Sequence, residues 1–211
     1  MKSTVLLTLA MAFVAAPAFA DGPRLTGLPA KLLSGDAAQL TTHEVPTPPV
    51  SSIKAGPLAV ELEVTTLADV QKQFGGTISN ATDGGVSVDW VCYVIQRTSG
   101  AGHIWFLSDG RIGGPDHVVT MVASDFDLSE HSGCTDAPAS LTAIDYSVPG
   151  LLTSESDVVA RFGPTDALDN VVSYSNQTTS TTTPLTTLQV LSYHFKDGKV
   201  DAIAVNQLTT N

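Results

Sequence analysis

Thr66-Leu67-Ala68-Asp69-Val70-Gln71-Lys72-Gln73-Phe74-Gly75 has a second copy, Ser154-Glu155-Ser156-Asp157-Val158-Val159-Ala160-Arg161-Phe162-Gly163. In each copy a hydroxyl residue precedes an apolar-periodic run and an acidic residue follows three positions later. This is the capping-box pattern, with Asp in place of Glu. Leu67, Val70 and Phe74 recur at helical spacing, as do Val158 and Phe162. Gly75 and Gly163 stand where a left-handed C-terminal cap is wanted, and Pro164 blocks continuation of the second run. The pattern predicts two helices of about ten residues, too short to be stable alone and therefore packed on a sheet.

A hairpin signal follows each copy: Trp105-Phe106-Leu107-Ser108-Asp109-Gly110-Arg111-Ile112, then Tyr193-His194-Phe195-Lys196-Asp197-Gly198-Lys199-Val200. Asp-Gly suits a tight turn because both residues tolerate positive φ. Asp69 and Asp157 are 88 residues apart, and so are Asp109 and Asp197. One offset for both ends reads as duplication. The expected fold is α+β: two tandem repeats, each a short capped helix packed on an antiparallel β-sheet. Repeat unit 1 spans 57–140 and unit 2 spans 141–211. Before them stand a signal peptide over 1–20 and an N-terminal extension with a Pro-rich linker over 21–56.

The signal-peptide reading rests on Lys2, an apolar run over 5–16, and Ala18-Phe19-Ala20 ahead of Asp21. It places the mature chain in the periplasm or the medium. No cysteine follows the cleavage site, so no lipid anchor is expected, and no later stretch is apolar enough for a membrane span. After residue 20 the chain has 9 basic and 21 acidic residues, a net charge of -12. That balance disfavours nucleic acid and anionic lipid, and it suits solubility or a basic protein partner. Two cysteines in an exported chain predict one disulfide, Cys92 to Cys134. No cofactor is expected.

Outside the repeated stretch, 28–40 reads as a short helix with Leu32, Leu33 and Leu40 on its apolar side, and 45–49 as an extended linker. Leu58, Val60, Leu62 and Val64 point one way, with Glu61 and Glu63 on the other side, predicting a strand over 58–64. The strand over 87–95 is apolar on both sides. It is therefore central, or covered on its outer side by a partner. Gly113-Gly114-Pro115 interrupts the strand returning from Asp109-Gly110 and predicts a bulge or protruding loop. A strand over 141–148 opens unit 2. The Thr/Ser tract over 178–183 reads as an exposed hairpin end, ahead of a closing hairpin over 188–195 and 200–206.

Two sets of candidate residues emerge. For protein binding they are Trp90, Tyr93 and Trp105 on the aromatic strands, with Asp116 and His117 in the protruding loop. For a metal they are Asp125, Asp127, His131 and Asp136. Asp125, Asp127 and Ser129 occupy calcium-loop positions one, three and five, and Asp136 position twelve, but Glu130 stands where glycine is required. The chain contains no Gly-x-Ser-x-Gly, His-Glu-x-x-His or Cys-x-x-Cys motif.

The order capped helix, Phe-Gly, loop, aromatic strand and Asp-Gly hairpin, given twice after a signal peptide, resembles the β-lactamase inhibitory protein family. Unit by unit it is also similar to the SmpA/OmlA envelope lipoproteins. The resemblance is carried by Thr66 to Gly75 with Trp90 to Ile112, and by Ser154 to Gly163 with Tyr193 to Val200. It implies two α/β repeats whose sheets form a surface that clamps another protein. The inhibitor family has a disulfide in each unit, whereas unit 2 here has no cysteine, and the lipidated cysteine of the lipoproteins is missing. The resemblance therefore implies the fold and a protein-binding sheet, and neither β-lactamase inhibition nor any contact residue. The expected function is an exported, non-enzymatic protein-binding module with an unidentified protein partner. The alternative is an exported metal-dependent or hydrolytic protein centred on the acidic, histidine-containing segment 116–136.

Overall fold

The computed structural model describes residues 24–34, 39–83, 86–97, 100–126 and 133–211. The chain runs α1 (Gly27–Leu33), β1 (Thr42–Glu44), β2 (Ile53–Ala55), β3 (Leu58–Val60), α2 (Leu67–Phe74), β4 (Ser79–Asp83), β5 (Val86–Arg97) and β6 (Gly100–Asp109). It continues as β7 (Met121–Asp125), β8 (Thr135–Asp136), β9 (Ile144–Asp145), α3 (Glu155–Phe162), β10 (Val171–Thr179), β11 (Thr186–Lys196) and β12 (Lys199–Thr210). The fold is α+β. Among the described residues, nine strands form one sheet in the order β1-β10-β11-β12-β7-β6-β5-β4, with β8 beside β5. A smaller sheet has the order β3-β2-β9.

Helices α2 and α3 form where their caps predict. The Thr66 hydroxyl accepts from the Asp69 N–H at 3.1 Å, and the Asp69 carboxylate accepts from the Thr66 N–H at 3.0 Å. The Thr66 hydroxyl also donates to the Asp69 carboxylate at 2.7 Å, and this bond, followed by that from the Thr66 N–H, holds the Asp69 carboxyl below its ordinary pKa. At α3 the Ser154 hydroxyl accepts from the Asp157 N–H at 3.2 Å. Both helices end on a positive-φ glycine, Gly75 and Gly163. The carbonyl of each glycine accepts a tyrosine hydroxyl: Tyr93 donates to Gly75 at 2.7 Å and Tyr174 to Gly163 at 3.0 Å. The rings of Phe74 and Tyr93 pack together, as do those of Phe162 and Tyr174.

Side chains alternate across a strand, so the large sheet has two faces. The inner face carries Val91, Tyr93, Ile104, Phe106, Val122, Tyr174, Leu191, Tyr193 and Ile203. It is covered by Leu67, Val70 and Phe74 of α2, Val158 of α3, and Ile53, Ala55 and Val60 of the small sheet. The outer face carries Trp90, Cys92, Trp105, Leu107, Met121, Ala123, Ala202 and Ala204. At the middle of the sheet β7 and β12 run antiparallel with Ala123 opposite Ala204, flanked by the pairs Asp125–Ala202 and Met121–Asn206.

Three expectations are corrected. The strand expected over 58–64 stops at Val60. Glu63 takes a left-handed φ of 64°, and its carboxylate accepts from the Thr209 N–H and hydroxyl, both at 2.6 Å, and from Gln207 Nε2 at 3.0 Å. That turn leaves Val64 exposed. The first Asp-Gly pair makes no tight hairpin. Asp109 Oδ1 accepts from the N–H groups of Arg111 and Ile112, a local bond that competes with the two-residue turn, and the return strand starts only at Met121. In the second pair Asp197 and Gly198 have φ of 53° and 71°, as a type I′ turn requires. The strand expected over 141–148 reduces to β9, which pairs with β2.

A candidate site on the outer face of the sheet

None of the three aromatic rings expected on a contact surface reaches solvent: Trp90 is 2 %, Trp105 1 % and Tyr93 0 % exposed. Tyr93 faces inward and packs on α2. Trp90 and Trp105 face outward, where α1 and its flanks cover them. Leu28 is buried in their cluster, and Leu25, Leu32 and Leu40 pack against it. The outward side of β5 is thus covered by the chain's own N-terminal segment.

The local chemistry of α1 explains how it sits there. Its seven residues bury only Leu28 and Pro29, and the Thr26 side chain makes no capping bond. Pro29 is tolerated because the first turn has no partner for its missing N–H. Gly27 has φ of 65°, and a Cβ there would stand 3.1 Å from Asp125 Oδ2 and 3.6 Å from Trp105 Cη2. Glycine thus brings the helix start close against the sheet. Clefts border α1. The largest, about 620 Å³, is lined by Gly27, Lys31, Asp125, His194, Lys196 and Asp201 among others.

Polar groups gather at this end of the outer face through strand register. His103 lies opposite Asp125, Asp125 opposite Ala202, and Ala202 opposite His194, one row across β6, β7, β12 and β11. His103 is buried; its Nδ1 and its backbone N–H each lie 3.1 Å from Asp125 Oδ1. A register shift between His194 and Phe195 leaves Asp201 without an opposite residue. This bulge re-aims the Asp201 side chain, whose Oδ1 lies 2.5 Å from His194 Nδ1. The sequence carried no signal for either pair, because each depends on register or on a bulge.

The other candidates are scattered. Asp116 is exposed in the loop after β6. His117 does not pair with it: its Nδ1 lies 3.2 Å from Asp89 Oδ2, and Asp89 is further held by Asn80 Nδ2 at 2.9 Å. A carboxylate-oriented imidazole is half of a general-base arrangement. Among the described residues, however, no hydroxyl bonds to the ring of His117 or of His194. Of the metal candidates, Asp127 and His131 lie outside the described residues. Asp136, in β8, is opposite Val94, which is opposite His103. It is therefore three strands from Asp125, about 14 Å at ordinary strand spacing, too far to share an ion. Among the described residues no group of three or more His, Cys, Asp or Glu side chains is placed to hold a metal. The disulfide joins Cys92 to Cys134 as expected. No described helix is long and apolar enough to cross a membrane.

No protein-family model, curated protein or solved structure matches this chain.

Proposed function

We propose that the chain is a non-enzymatic protein-binding module that acts after export, in the periplasm or the medium. In this reading it is built of two copies of one α/β unit, and the contact surface is the outer face of the sheet at their junction. The observation that carries it is the difference in what closes the two faces. Two capped helices and a second sheet close the inner face. The outer face, which holds both tryptophans of the chain, is closed among the described residues by α1 together with Leu25, Leu40, Ala81 and Cys134, with clefts alongside. Beneath that cover lie Trp90, Trp105, Ala123, Ala202 and Ala204, and the bordering cleft carries the polar groups His194, Lys196 and Asp201; an apolar centre with a polar rim is the make-up of a protein contact.

The duplication is supported by contacts that recur in pairs: the Thr66 and Ser154 caps, the Tyr93 and Tyr174 bonds to Gly75 and Gly163, and the Phe–Tyr ring packing. Export is supported by the pattern of residues 1–20. The acidic balance supports a basic partner.

The test is capture of the chain's partner from its own envelope and medium fractions, comparing the wild type with Leu208→Arg. Leu208 is partly exposed and lines the far end of the same face. A stoichiometric protein retained by the wild type and lost at least tenfold with the variant, at unchanged melting temperature, is the expected result. Equal retention by both chains removes the outer face from the reading.

A further inference from the structure

We propose that β4 pairs edge to edge with β4 of a second copy of this chain, so that two large sheets join across a two-fold axis. This contact lies at the rim of the sheet and does not depend on protein binding at its outer face.

Backbone direction singles out this rim. β4 ends the large sheet beyond β5. The Gly110 N–H donates to the Ser87 carbonyl at 2.7 Å, so Ser87 turns its ladder groups toward β6. The bonding direction alternates along an antiparallel strand, so Val88 and Trp90 turn theirs toward Ala81 and Ser79 of β4. The N–H and C=O groups of Asn80 and Thr82 therefore point away from the sheet, and no described residue bonds to them. The Asn80 side chain does not fold over them: its Nδ2 donates to Ser87 Oγ at 3.0 Å and to Asp89 Oδ1 at 2.9 Å, which ties it to β5.

Sheets blunt a free edge with lysine, proline, a bulge or a very short strand. At the far edge β1 has three residues, and Pro46 follows it closely. β4 has five residues, an unbroken register with β5, and no lysine, arginine or proline. Ile78, at its start, is exposed.

The strip is self-complementary, as a two-fold contact requires. With the axis at Ala81, Asn80 of each copy stands opposite Thr82 of the other, and each such pair exchanges both ladder bonds. Asp83 then meets Ser79 and not a second carboxylate, so no like charges stand opposite each other. Residues 77–82 carry no charge in a chain of formal net charge -11, which lets two acidic copies approach here. The axis is normal to the sheet, so both outer faces lie on one side of the joined pair. Short strands meeting at one edge bury little area, and the dimer is weak, with a Kd on the order of 100 μM.

The test is sedimentation equilibrium of the full chain from about 10 μM to about 1 mM, as wild type and as Thr82→Pro. The Thr82 N–H has no part in the β4–β5 ladder and proline is tolerated on an edge, so the substitution blocks an incoming strand and keeps the fold. The wild type is expected to pass from monomer to dimer over this range, and more readily at high salt, which screens repulsion between acidic copies. Thr82→Pro is expected to associate at least tenfold more weakly at an unchanged melting temperature. In the wild type the Asn80 and Thr82 amides are expected to exchange at least threefold more slowly at the top of the range than at the bottom, while the Ala81 amide, bonded to β5, keeps its rate. A wild type that stays monomeric throughout overturns the proposal, as does a dimer that Thr82→Pro leaves intact. If Thr82→Pro does not fold, amide exchange in the wild type decides, and Asn80 and Thr82 rates independent of concentration overturn it. A monomeric wild type that captures a protein partner and loses it with Thr82→Pro overturns it in favour of a foreign strand at this edge.

Discussion

Glu63 shows how one side chain redirects a strand. Alternating apolar residues argue for extension through Val64, yet Glu63 adopts φ of 64° and sends its carboxylate to the last strand. A left-handed non-glycine backbone costs about 1–2 kcal/mol. Hydrogen bonds to a charged acceptor return about 1.5–3 kcal/mol each, so the latch outweighs the strain. Replacing Glu63 tests both parts. Glu63→Ala keeps the strain and loses the acceptor, and is expected to cost about 3 kcal/mol in a urea melt. Glu63→Gly loses the same acceptor but relieves the backbone, and is expected to be about 1 kcal/mol more stable than the alanine variant. An alanine variant as stable as the glycine one would show that the backbone there is free to relax. Nothing in the alternation of residues 58–64 announced this, because the partner, Thr209, lies far away in sequence. His103–Asp125 and His194–Asp201 escaped for the same reason.

Among elements, legibility divides by the range of the forces that build them. Helices α2 and α3 were readable because cap, apolar spacing and terminal glycine all lie within about ten residues. The hairpin of β11 and β12 was readable because Asp197-Gly198 sets its own turn. Its counterpart failed because Asp109 bonds locally to Arg111 and Ile112 instead. The position of α1 was not readable: it rests on contact between Leu28 and side chains well over fifty residues away. The Cys92–Cys134 pairing was inferable from the cysteine count together with the expectation of export, and it has a consequence for β8. That strand is two residues long and meets β5 only at Tyr93 and Val94, with one further bond from the Ala137 N–H to the Val94 carbonyl. The disulfide closes a loop between residues 42 apart, which on the chain-entropy model contributes about 4 kcal/mol. Reduction is expected to lower stability by about that amount, and to release the Ala137 amide to hydrogen exchange before the amides of β5 and β6. Retained protection of Ala137 in the reduced chain would show that β8 is held by its own pairing.

At the scale of the whole molecule, the inner core can be read through its phenols. The chain has four tyrosines, each buried and each donating its hydroxyl: Tyr93 to Gly75, Tyr174 to Gly163, Tyr193 to Pro149 and Tyr146 to Ser124. Burial, the largest cause in every case, pushes all four pKa values above the ordinary value, that of Tyr93 to about 12. The neutral phenol is therefore the form the fold prefers. Stability from these groups is fully present below pH 10, where the unfolded chain also keeps its tyrosines protonated, and is lost as pH rises from 10 through 12. Because the four rings are spread along the inner face and belong to one core cluster, ionising one is expected to loosen the others. Absorbance at 295 nm is expected to stay flat past pH 10, then rise in one steep step that coincides with loss of the β-sheet circular dichroism. A gradual rise centred near pH 10 with the sheet signal intact would show that the phenols reach water without unfolding. The inner face would then be a loose layer over the sheet, and the contrast between an inner face closed by two capped helices and a small sheet and an outer one closed by α1 and its flanks, on which the binding proposal depends, would fail with it.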